Sequence, residues 1–175
     1  MNKKGKSPKS TRKKKKSNKF LTISIVVILI GVVVYYFYSA DQAQIRGFSF
    51  GNEIQSLQQE IHDEQSRFIS SIAKWEEKAI SNDEMIRIGE EHIKSFERLL
   101  EKYDDLQPPD SFARSVKLFK LSLEYQIDSH EHRLEWIKTG DELELVRFQE
   151  LTQLSFEAEQ AGLKSFNDAK AGIQQ

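Results

Sequence analysis

Apolar positions along the chain change character once, sharply. From Phe20 to Ala40 they are nearly continuous (FLTISIVVILIGVVVYYFYSA), with no charge between Lys19 and Asp41. At about 1.5 Å rise per residue this stretch reaches roughly 31 Å, one hydrocarbon thickness, so it predicts a transmembrane helix over 20–40. From residue 53 onward apolar residues instead return every three or four positions, the pattern of amphipathic helices. Residues 41–52 lie between the two regimes and, with Gly47 and Gly51, read as a juxtamembrane connector.

Four apolar stripes follow. The first is Ile54, Leu57, Ile61, Phe68, Ile72 and Trp75, started by Asn52 as a cap and interrupted by Glu64. The second opens at Ser81-Asn82-Asp83-Glu84, a capping box. It runs through Met85, Ile88, His92, Phe96, Leu99, Tyr103 and Leu106 and stops at Pro108-Pro109, which lack amide donors. The third starts at Asp110 or Ser111 and carries Phe112, Val116, Phe119, Leu123, Ile127, His130, Leu134 and Ile137. Gly140 then suits a left-handed C-terminal residue. The fourth, capped by Asp141, carries Leu145, Phe148, Leu151, Leu154, Ala158, Ala161 and Phe166. Helices of this length joined by short turns fold back on one another. The expected fold is all-α: one N-terminal transmembrane helix, then an antiparallel, coiled-coil-like bundle of about four helices over 53–170, with 171–175 frayed. No exact internal repeat is visible, and nothing alternates with the period of a strand.

Charge divides the chain in the same places. Residues 1–19 hold ten Lys/Arg and no acid, leaving 16 basic and 27 acidic residues beyond the apolar stretch, a net charge of −11 there. The tail has nothing apolar to bury and is expected to be disordered. A basic flank is retained in the cytoplasm, so the tail, with Lys13, Lys14, Lys15, Lys16 and Lys19, sets the topology and contacts anionic headgroups. The bundle is then extracytoplasmic. Tyr35, Tyr36 and Tyr38 crowd the exit end, where aromatic rings favour the interface. No small-x-small cleavage pattern follows the span, so it reads as an uncleaved signal-anchor. The tail has no aromatic residue to stack on bases, and nucleic acid is not an expected partner. The chain has no cysteine, which removes disulfides and thiolate chemistry.

Candidate chemistry is sparse. Glu64, His92 and His130 are polar residues on otherwise apolar stripes, and they are the candidate metal or ligand residues; the bland reading is hydrogen-bonded boundary residues. Spacing argues against a metal centre. Gln59, Gly89, Ile127 and Ser129 stand three residues before the four histidines, so the Glu-x-x-His pairs of di-iron bundles are missing, and HExxH is absent too. Gly47-Phe48-Ser49-Phe50-Gly51 spells the nucleophile-elbow motif, but with no strand to carry it. No cofactor and no enzymatic activity are expected. Trp136, beside the Leu134–Ile137 stripe, reads either as an exposed anchor for a partner or as a widening of the buried face.

The punctuation Leu106 to Pro109, then helix, then Thr139-Gly140-Asp141 and another helix, resembles small extracytoplasmic helical domains of anchored proteins and lipoproteins of low-GC Gram-positive bacteria. The likeness spans roughly residues 98–170. It implies a helical bundle outside the membrane, with no assigned activity and no functional residues to transfer. The expected role is a surface interaction or assembly module with a protein partner or a second copy. The alternative is an extracytoplasmic sensor of a small ligand or metal that signals through a partner.

Overall fold

The computed structural model describes the backbone of residues 18–173 and the side chains of Gln42 and of residues 44–173. It is all-helical: α1 (Asn18–Glu76), α2 (Asn82–Asp105), α3 (Ala113–Thr139) and α4 (Glu142–Ile173). The chain divides into two compact units, Met1–Gln42 and Ala43–Gln175. Among the described residues no helix is long and apolar enough to cross a membrane. The expected span, with Tyr35, Tyr36 and Tyr38, lies outside the described side chains, as do Lys13 to Lys16 and Lys19.

The second unit is a four-helix bundle whose neighbours run antiparallel, because partner numbers fall on one helix as they rise on the other. Glu60 pairs with Lys102 and Glu64 with His92 across α1 and α2. Asp104 pairs with Lys120 and Glu90 with Lys138 across α2 and α3. Ser122 meets Ser155, and Phe119 meets Gly162, across α3 and α4. One core runs through the unit, from Phe50, Ile54 and Leu57 through Phe68, Phe96, Leu123 and Leu134, with Phe112, Phe119 and Phe166 toward one end.

Local chemistry explains most boundaries. The Ser81 hydroxyl accepts from the Glu84 amide at 3.2 Å, while the Glu84 carboxylate accepts from Arg87. Gly140 closes α3 at φ 72°, its amide donating to the Trp136 carbonyl at 2.8 Å. Asp141 then accepts from the Leu143 amide at 2.9 Å.

Three sequence expectations are corrected here. Residues 41–52, read as a connector, are helical, and Asn52 lies within α1 rather than capping a helix. The glycines there permit close packing: Gly51 faces the Phe112 and Phe166 rings, and a Cβ on Gly47 would collide with Ile173. The C-terminus is helical to Ile173, whose carbonyl accepts from Gln44 at 3.1 Å. On α4 the buried row is Ser155, Ala158, Gly162, Phe166 and Ala169, while Leu154 and Ala161 are exposed. Of the expected stripe Ala158 and Phe166 are buried, and between them α4 meets α3 through small side chains. A Cβ on Gly162 would come within 2.8 Å of the Phe119 ring.

The α1–α2 turn contains one backbone strain. Ala79 donates to the Lys74 carbonyl at 2.8 Å and Lys78 to the Trp75 carbonyl at 2.9 Å, the paired bonds of a Schellman motif. Its left-handed position, usually glycine, is occupied by Lys78 at φ 59°. Lys78→Gly is therefore expected to stabilise the full-length protein by about 1 kcal/mol in urea unfolding. A loss of stability would show that the lysine side chain matters more than its backbone strain.

Candidate functional site

Glu64, His92 and His130, separate in sequence and on three different helices, converge in the middle of the bundle. His92 and His130 are buried, with 3% and 5% of their surface exposed. Their ring centroids lie 4.9 Å apart at 68°. Phe68 of α1 stacks on His92 at 4.0 Å and 6°, and meets His130 edge-to-face at 4.9 Å. Phe96, one turn along α2 from His92, closes the group at 4.2 Å. Helical spacing produces this directly: each histidine occupies a stripe position where an apolar residue would ordinarily stand.

Among the described residues, only one imidazole nitrogen of the pair has a hydrogen-bond partner. Nδ1 of His92 lies 3.2 Å from Oε1 of Glu64. Burial tends to raise the Glu64 carboxyl, but hydrogen bonds from Arg67 and His92 outweigh it and hold the group below its ordinary value. An ionised carboxylate can only accept, so His92 donates from Nδ1 and its Nε2 carries the lone pair. That Nε2 is buried without a partner, and so are both nitrogens of His130.

Burial disfavours the charged form of both rings. Burial lowers the His92 value, against the pull of Glu64. Burial, with contributions from His92 and Arg133, takes His130 down to about 3. Arg133, one turn beyond His130, is itself pulled below its ordinary value by burial. Its guanidinium lies 5.0 Å over the Phe148 ring of α4 and 3.8 Å from Glu76. An orphaned buried Nε on Arg133 adds to the unmet polar atoms of this region.

Such an arrangement is costly and chemically narrow. Buried polar atoms are normally paired, and each exception needs a reason. Among the described residues no group of three or more histidine, aspartate or glutamate side chains is placed to hold a metal ion. The phenylalanine rings fill the space around the histidines. What the cluster can do is exchange protons, donating or accepting at three unpaired nitrogens.

The other candidates are dispersed. Trp136 is half-buried and packs edge-on against Trp75 at 5.9 Å, while the Trp75 indole donates to Asn82. Ser49 is exposed within α1 rather than on a strand-to-helix turn. His132, weighed in the sequence only for metal-ligand spacing and silent as an ion-pair candidate, pairs with Glu144 across the Gly140 turn. Arg133 was equally silent, although a cation one turn from a stripe histidine was the available signal.

Removing the orphaned ring should relieve its burial cost. His130→Leu is expected to raise the unfolding free energy of the full-length protein at pH 7.5 by about 1 kcal/mol or more. Destabilisation would mean that His130 has partners its geometry does not reveal. No known family profile matches the chain, and neither the curated proteins nor the solved structures contain a match to it.

Proposed function

We propose that this chain is a single-pass membrane protein, tail inside, whose extracytoplasmic helical bundle is an interaction and assembly module rather than an enzyme. Support for the membrane part is the uncharged stretch 20–40 and the ten basic residues ahead of it, which also favour contact with anionic lipid. Support for the interaction part is one surface observation. The N-terminal half of α4 exposes large apolar side chains, with Leu143 at 65% and Phe156 at 55%.

Of these, Leu143, Val146 and Leu154 fall within about 80° of arc at 100° per residue, so they share one flank of the helix. The exposed Glu150 and Glu157 share that arc. A partner helix with an apolar strip flanked by basic residues matches this flank. A second copy would bring the same acidic residues, on a segment already at −11. We place the partner surface here rather than at Trp136, whose ring is engaged by Trp75.

A sensor of a small ligand, acting through a partner's cytoplasmic domain, is the second reading. The orphaned nitrogens of His92 and His130 favour it. It requires the surrounding rings to part before any ligand enters.

Site-specific photocrosslinking in intact cells tests the first reading. A crosslinker at Leu154 of the full-length protein is expected to capture one different protein through a basic-flanked helix, while one at Glu97 on α2 captures nothing. Adding Val146→Asp should reduce the Leu154 adduct at least tenfold. Equal adducts at both positions, adducts only with a second copy, or no effect of Val146→Asp would overturn it.

A further inference from the structure

We propose that the His92–His130 pair is an acid-operated latch, in which proton uptake opens the middle of α1, α2 and α3 while the Phe50–Phe112–Phe166 end stays packed. From α1 the pair is faced by Glu64, itself shared with Arg67, and Glu76 reaches Arg133. On α3 stands Arg133, and α4 contributes the Phe148 ring beneath it. From α2 come His92 itself and Phe96.

Among the described residues one carboxylate therefore touches the pair, and it already serves a guanidinium. A first proton on His92 has Glu64 beside it. A second, on His130, meets a charged His92 at 4.9 Å between ring centroids, with Arg133 nearby and no hydrogen-bond acceptor at either nitrogen. The closed bundle cannot hold both protons, whereas an opened one hydrates them.

The sign follows from linkage. Both rings bind protons less readily when buried, so the closed form is fully favoured above the ordinary imidazole value of 6.5 and loses ground as pH falls below it. With His130 moving from 6.5 to about 3 on closure, this ring alone multiplies the opening constant about thirtyfold between pH 7.5 and 5.

The Phe50–Phe112–Phe166 end is built differently. Phe50, Phe112 and Phe166 pack at 5.4 and 5.5 Å, with Lys170 over Phe166. These contacts gain no charge as the pH falls. Opening is thus confined to the segment that carries the imidazoles.

Hydrogen-exchange mass spectrometry of the full-length protein in detergent micelles, corrected for intrinsic exchange rates, tests this. Between pH 7.5 and 5, segments 57–72, 88–100 and 123–137 should show about thirtyfold more opening, and segments 43–52 and 108–120 less than threefold more. His130→Leu should remove most of that rise. His130→Asn, polar but non-titrating, serves if the leucine variant does not fold. A wild-type rise under threefold, an equal rise in both sets of segments, or an undiminished rise in a folded variant would each overturn the proposal.

Discussion

Two imidazoles and one carboxylate meet among phenylalanine rings in the middle of this bundle, and the packing of α1, α2 and α3 there depends on that meeting. The single hydrogen bond from His92 to Glu64 fixes the ring in one tautomer and holds α1 against α2. Phe68 stacks on the ring so held and turns its face or edge toward His130, which ties in α3. Aromatic stacking supplies the contact area, but it satisfies none of the three remaining ring nitrogens. A leucine or phenylalanine at either position would give a cheaper core. Retaining a titratable pair there makes the centre of the bundle its most acid-sensitive part.

The fourth helix follows a different logic. It approaches α3 through Ser155, Ala158 and Gly162, with Ser122 and Ser155 hydroxyls 3.1 Å apart in the buried seam. Small side chains bring the backbones close and spend little of the helix's apolar surface. Phe166 goes into the core, but Leu143, Val146, Leu154, Phe156 and Leu163 are left on the flanks, where they face outward. The close seam and the exposed flank are two consequences of one choice of residues, and an exposed apolar row of this kind is what a binding partner would cover.

Much of this architecture was legible in the sequence because it rests on periodicity and punctuation. The α2 cap at Ser81, its end before Pro108 and the Gly140 stop all stand where local chemistry put them. The stripe positions of Glu64, His92 and His130 were visible too, since a polar residue breaks an apolar pattern. Their convergence was not, because it depends on the rotation of three helices about their axes. Ser155 and Gly162 were missed because a stripe read from apolar residues passes over serine and glycine, although Ala158 on the same face was on it. The glycines at 47 and 51 were taken for breakers when they serve as contact points. Lys78 in a left-handed turn has no sequence signature, since the motif ordinarily announces itself with glycine.

The central claim is that both core imidazoles are neutral and that His92 carries its proton on Nδ1. Imidazole nitrogen chemical shifts of the full-length protein, labelled with nitrogen-15 histidine, read this directly. At pH 6.5, where an ordinary imidazole is about half protonated, His92 should show a protonated Nδ1 with a bare Nε2, and His130 should show one bare nitrogen. An imidazolium signature at either ring, or a His92 proton on Nε2, would contradict the account.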